Sequence, residues 1–166
     1  MQTFLPYPDF AATARVLDRG RLGKQRVETI QVQRGLVVPG YGWRHHPAVK
    51  MWVGHEEALV RYGLDICAEW RAQGFQDTCE VTLRSDLAHA RGVTVVRTQE
   101  ELATAGALPA WLGDHDVHLS HQSALVRKDP GHYRRYFPDV PDDLPYVWPP
   151  MLTRTVNPSA SRPIDT

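Results

Sequence analysis

The densest chemistry in this chain lies in Asp18-Arg19-Gly20-Arg21-Leu22-Gly23-Lys24-Gln25-Arg26-Val27-Glu28. Four cations, Arg19, Arg21, Lys24 and Arg26, crowd what reads as the start of a helix, where positive charge opposes the macrodipole. A sequence selected for stability alone places acids there. The pattern makes sense when an anion completes the site, because phosphate gains from exposed N–H groups and guanidinium forks together. Glu28, one turn beyond Lys24, is then a single functional carboxylate beside phosphate-binding cations. The same spacing also describes an ordinary surface ion pair, worth about a few tenths of a kcal/mol.

Three further groups could carry chemistry. Tyr41-Gly42-Trp43-Arg44-His45-His46-Pro47 places aromatics, Arg44 and His46 around a glycine turn. It suits stacking on an exposed base, or a packed helix entry. His115, His118 and His121 recur at spacings of three beside Asp114 and Asp116, but such residues sweep around a helix and cannot all converge on one metal. Hydrogen bonding to phosphate or to the core suits them better. Arg127-Lys128-Asp129-Pro130-Gly131-His132-Tyr133-Arg134-Arg135 is a second basic cluster, although helix ends favour cations in any case. Gly-rich nucleotide loops, nucleophile-elbow serines and paired-cysteine sites are missing from the sequence.

Helices must position these groups. Asp9 can cap a short helix through Leu17, carrying Phe10, Ala14 and Leu17 at helical spacing. A second helix is expected over 21–37, stopped by Pro39-Gly40. Leu22, Val27, Ile30 and Val37 supply its apolar side, and Arg21, Lys24, Glu28 and Gln31 share a polar face. The strongest periodicity runs from Pro47 to Gly74, with Trp52, Leu59, Tyr62, Ile66 and Trp70 recurring. It predicts one central helix of roughly 40 Å that Gly54 and Gly63 weaken without breaking. Residues 75–107 carry a poor signal, in which Val93-Thr94-Val95-Val96 fits a short strand or buried loop. Thr98 with Glu101 resembles a capping box. A last helix is expected over 116–128, then a helical turn through Tyr133 and Phe137. The Pro-rich run 138–150 should wrap the domain, pinned by Tyr146 and Trp148, and 151–166 should be a mobile tail. The fold class is mainly α: a compact single domain over 1–150 around one long central helix.

The chain has 166 residues, of which 42% are apolar, enough for an ordinary core. It lacks the run of about 18 apolar residues that a membrane span needs. With no export signal, Cys67 and Cys79 are expected as reduced thiols and the protein as cytoplasmic. Net charge is zero, but residues 1–50 hold eight Lys/Arg against three Asp/Glu, and residues 51–116 hold five against eleven. A chain so polarised can present one basic face to phosphates while the whole molecule stays neutral.

Together these segments resemble the pyrimidine-dimer DNA glycosylase family, the phage endonuclease V type of repair enzyme. Leu22 to Glu28 resembles the family's early helix with its catalytic glutamate. Residues 46–75, especially Trp52-Val53-Gly54-His55-Glu56-Glu57-Ala58-Leu59 and Cys67-Ala68-Glu69-Trp70-Arg71-Ala72-Gln73-Gly74-Phe75, resemble its central helix. Residues 120–137 resemble its closing basic helix and Pro-x-x-Tyr turn, here Pro130 to Tyr133. The resemblance implies an all-helical fold, no cofactor, and excision of a damaged or modified base from duplex DNA by a monomer.

In that family a terminal amine attacks the sugar C1′, and the resulting imine permits strand cleavage by β-elimination. An ordinary α-amine, with a pKa of about 7.7–8.0, keeps a useful neutral fraction for such attack. Glu28 matches the catalytic glutamate. Arg19, Arg21, Arg26, Arg44, His46, His121, Arg127 and Lys128 are the expected DNA contacts. The chain departs from the family at two points. Gln2 replaces the small second residue that would be exposed by methionine removal, which makes Met1 the expected amine, with Lys24 as a second candidate nucleophile. Val27 stands where the family has arginine. The expected function is a repair-type glycosylase with or without AP-lyase activity. The alternatives are a non-catalytic nucleic-acid-binding protein and, last, a metal-dependent nuclease using Asp114, His115 and His118.

Overall fold

Asp9 opens the helical part of the chain: its carboxylate accepts the Ala12 N–H at 2.6 Å and α1 (Phe10–Val16) follows, as its cap predicts. The computed structural model describes residues 1–149, and every regular element among them is a helix. The mainly α expectation therefore holds. Asp18 caps α2 (Arg19–Val37), which starts two residues earlier than expected and stops where Pro39-Gly40 follow. No helix of the described residues is long and apolar enough to cross a membrane. Pro150 and the expected tail, 151–166, lie outside the described residues.

The expected continuous central helix is two helices. α3 (Pro47–Lys50) ends after one turn, and α4 (Glu56–Ala72) begins beyond Gly54. Gly54 has φ of 82°, a left-handed conformation that a helix cannot contain, so it separates the two rather than merely weakening one. Gly63 acts in the opposite way. It stays helical, and a Cβ there would come within 2.7 Å of Leu83 Cδ1 and 2.8 Å of Thr29 Cγ2, so its bareness lets α4 seat against its neighbours.

One neighbour, α5 (Cys79–Arg91), was not expected. Its buried residues are only Cys79, Leu83 and Leu87, a narrow stripe among polar and β-branched residues. Its N-terminus is held by Asp77, one residue before the N-cap, which accepts from Cys79 and Glu80 N–H at 3.2 and 3.0 Å. Residues 92–98 form a loop rather than a strand, and Thr98 and Glu101 make the expected capping box at α6 (Gln99–Thr104). α7 (His115–Lys128) and the turn α8 (Pro130–Tyr133) follow as expected and complete the helices of the described residues.

Two apolar clusters hold these elements. The larger gathers Phe10, Trp52, Leu59, Tyr62, Leu22 and Leu125, and the smaller joins α4 to α5 through Val60, Leu64, Leu83, Leu87 and both cysteines. Both thiols are free and buried, and burial pushes the Cys67 thiol well above its ordinary value. The buried side of α2 differs from expectation. Leu22 is buried as expected, but Val27 is 47% exposed, and the remaining buried residues are Gln25, Glu28, Thr29, Val32 and Gln33. A helix that turns a polar stripe inward needs partners for it, and those partners form the site.

Candidate active site

α2 directs Arg21, Lys24, Gln25 and Glu28 into a cavity of about 540 Å³. The N-terminal residues Met1, Gln2 and Phe4 close one side of it, with His46 at the entry to α3 and Lys128 at the end of α7. Tyr146 and Trp148 complete the wall from the Pro-rich segment.

Glu28 is 7% exposed, and its two oxygens have different partners. Oε1 lies 3.9 Å from the Met1 amine and 3.5 Å from Lys24 Nζ. Oε2 accepts from Gln25 Nε2 at 2.6 Å. The orientation of that amide is set by the Phe4 N–H, which can only donate and reaches Gln25 Oε1 at 2.9 Å. The Tyr62 hydroxyl also lies 2.7 Å from Gln25 Oε1 and 2.9 Å from the Phe4 carbonyl. Burial, with Glu28 nearby, holds the Tyr62 phenol well above its ordinary value, so it remains a neutral donor. With Oε2 held by Gln25, Oε1 is the carboxylate oxygen that faces the Met1 and Lys24 amines. Gln25 thus holds both one oxygen of the Glu28 carboxylate and the chain segment that carries Met1.

The rest of that segment is held from α4 and α7. Trp52 Nε1 donates to Thr3 Oγ1 at 3.0 Å, and Gln122 Nε2 donates to the Pro6 carbonyl at 2.8 Å. Leu5 N–H donates to His121 Nδ1 at 2.9 Å. His118 Nε2 accepts from Gly113 N–H at 2.9 Å, so its proton sits on Nδ1 and goes to the Leu5 carbonyl at 2.7 Å. Burial pushes His121 down to about 3, and it also lowers His118, so both are neutral clamps at physiological pH. His121 is fully buried and is not placed to meet a phosphate. Asp114 caps α7, and among the described residues no group of three His, Cys, Asp or Glu side chains is placed to hold a metal ion. The donors suggested for a metal nuclease do not converge.

Asp18 links the cavity to α8. It accepts from Tyr133 Oη at 2.5 Å and from Arg21 at 2.7 Å. Burial alone would raise its carboxyl, but these hydrogen bonds hold it below the ordinary range, so Arg21 enters the cavity rim partly neutralised. The other expected contacts scatter. Arg26 bonds Asp77 at 2.6 Å and lies over Trp70 at 4.3 Å. Arg19 stacks on Phe75 at 4.6 Å, and Arg44 donates to His45 on an exposed turn. Arg127 holds the carbonyls of Asp142 and Leu144. Of the residues singled out by sequence, Met1, Arg21, Lys24, Glu28, His46 and Lys128 meet in the cavity; Arg19, Arg26, Arg44, His121 and Arg127 do not line it.

A family model described as pyrimidine dimer DNA glycosylase matches residues 1–83. The chain belongs to the pyrimidine dimer DNA glycosylase family. Membership places it among DNA-repair glycosylases, with DNA as the substrate. No curated protein and no solved structure matches the chain. For this family member the matched half supplies Met1, Lys24, Gln25, Glu28 and His46, whereas Lys128, Tyr146 and Trp148 lie beyond it. Sequence reasoning missed Gln25, although it lies three residues before Glu28 and four after Arg21, on the same stripe. It placed Tyr146 and Trp148 in a wrapping role, and nothing in their spacing points to the cavity.

Proposed function

We propose that this glycosylase removes a damaged or modified base from duplex DNA by amine attack on the sugar C1′, with Glu28 as the catalytic carboxylate. The observation that carries the reading is the Met1 amine 3.9 Å from Glu28 Oε1 in a cavity rimmed by Arg21, Lys24 and Lys128. The rim cations take backbone phosphates and hold the sugar beside the amine. The amine lone pair forms the N–C1′ bond as the C1′–base bond breaks, and the base leaves with that electron pair and is protonated. The C1′–O4′ bond then opens to give an imine, with O4′ taking a proton. Loss of a C2′ proton forms a C2′=C3′ double bond as the C3′–O bond breaks, and the downstream strand leaves with a 5′ phosphate. Glu28 Oε1 stabilises positive charge at the sugar and relays these protons.

Lys24 is the second candidate for the amine, because its Nζ is 3.5 Å from the same oxygen. The Lys24 side chain is 71% exposed, whereas the Met1 side chain is 3% exposed and anchors the terminal amine beside Glu28, and this favours Met1. Borohydride reduction during incubation with abasic duplex DNA decides between them. The expected adduct maps by peptide mass to Met1, survives Lys24→Ala, and is lost when the N-terminus is blocked. No adduct with any form overturns the imine step. Salt-sensitive binding without base release across a panel of damaged oligonucleotides leaves a binding protein instead.

A further inference from the structure

The cavity lining holds two chemically different sets of side chains. Arg21, Lys24 and Lys128 are cationic, His46, Tyr146 and Trp148 are aromatic, and Asp18, Glu28 and Met1 also line it. A nucleotide has the same composition: an anionic phosphate, a sugar whose C1′ reacts, and a flat base. The aromatic set continues as a ladder of rings. From the outer loop inward, Trp43 meets His46 at 5.8 Å, His46 meets Trp148 at 6.4 Å, and Trp148 meets Tyr146 at 5.5 Å. Tyr146 then meets His121 at 5.5 Å, and His121 meets Phe4 at 6.3 Å, deep in the core. Interplanar angles along the ladder run from 44° to 88°, so none of these rings is stacked parallel on its neighbour.

The wall is anchored. Ser123 and Ser120 hydroxyls accept the Leu144 and Val147 N–H groups at 3.0 and 3.1 Å, and Arg127 holds the Asp142 carbonyl at 2.8 Å. His46 Nδ1 accepts the Ala48 N–H at 3.1 Å, which fixes that ring. At the outer end Trp43 is 50% exposed. An anchored aromatic wall beside a cationic rim is the combination that binds an unpaired base, since every base has a π-face and its phosphate needs a cation.

We propose that Trp148, His46 and Tyr146 form the nucleobase subsite of this protein, taking the base that leaves the duplex stack, with Trp43 as its outer step. This rests on the glycosylase reading above for its substrate. It also assigns base capture partly to a segment outside the family-matched residues 1–83.

Binding tests it without requiring catalysis. Fluorescence anisotropy compares two duplexes, one with a single unpaired thymine and one with a tetrahydrofuran abasic analogue at the same position. Wild type should prefer the base-bearing duplex by on the order of tenfold. Trp148→Ala should reduce that preference below about twofold, and Trp148→Phe should restore most of it. Trp43→Ala, at a half-exposed position where folding is less at risk, should reduce it by about threefold. Equal wild-type affinity for the two duplexes, or a preference unchanged in Trp148→Ala and Trp43→Ala, overturns the subsite. Base release by wild type without any preference overturns the subsite and spares the glycosylase reading. A preference erased by Trp148→Ala, with no base released from any substrate, supports the subsite and overturns that reading.

Discussion

α2 has two flanks built from the same kinds of residue, and they have opposite fates. On one, Arg21, Lys24, Gln25 and Glu28 line the cavity. On the other, Arg19 and Arg26 are seven apart and turn towards the region between α4 and α5. There Phe75 and Trp70 offer ring faces, and Asp77 offers a carboxylate whose side chain is 0% exposed. Arg71 adds a second cation to Asp77 at 3.5 Å and pairs with Glu80. Arg26, 15% exposed, has its counter-ion inside the protein; Lys24, 71% exposed, pairs among the described residues with Glu28 alone, in the cavity lining. A run of basic residues is therefore not one binding site. What separates the flanks is whether the fold supplies the anion or leaves it to a ligand.

The comparison breaks most sharply at Glu28. If the cavity flank carries the chemistry, Glu28→Gln should lower the single-turnover rate of base release by about 10²–10⁴-fold, the usual worth of a positioned acid–base group. Duplex affinity should change by less than about threefold, because the substitution leaves every phosphate-binding cation in place. An equal loss of affinity and rate would move Glu28 from catalysis to binding.

Arg26→Ala probes the other flank and should act on stability. It removes the closest partner of a buried carboxylate and leaves Asp77 with Arg71 and two backbone donors. The expected cost is about 3 kcal/mol in denaturant unfolding, with little change in the salt dependence of DNA binding. The sign of its pH dependence follows from Asp77. Burial raises that carboxyl, but hydrogen bonds, the one from Arg26 foremost, hold it below its ordinary value. The wild-type advantage is thus full at neutral pH and is lost only as pH falls through the depressed carboxylate range. An Arg26→Ala protein of wild-type stability but weaker DNA affinity would reverse the assignment of the flanks.

The two flanks also show how far the sequence could be read. Helical spacing grouped Arg21, Lys24, Glu28 and Gln31, and the first three meet in the cavity, because that regularity is local. It gave no sign that Arg26 would meet Asp77, 51 residues away, since a salt bridge across helices depends on their packing. The same limit hid α5, whose three-residue apolar stripe is too narrow to stand out, and whose capping group precedes its N-cap. The continuous helix expected from Pro47 failed for a different reason. Apolar periodicity persists through Trp52 and Leu59, but Gly54 adopts a backbone that only its position in the fold selects. The spacing of the α7 histidines points only to hydrogen bonds with phosphate or with the core. Their role as neutral clamps on Leu5, more than 110 residues away, could not be seen in their spacing.

The smallest effect is the one that best separates the flanks. Lys24→Ala and Lys128→Ala remove cations from the cavity rim that the protein does not bury. Neither should change unfolding free energy by more than about 1 kcal/mol, as exposed pairs contribute little. Each should instead reduce the slope of log affinity against log salt by about one, as expected when one fewer phosphate is neutralised. The double variant should reduce it by about two, because each neutralised phosphate releases its counterion independently. Arg26→Ala should leave the slope where it was. Exposed and buried cations thus give opposite results in one pair of measurements: salt slope without stability on the cavity flank, stability without salt slope on the other.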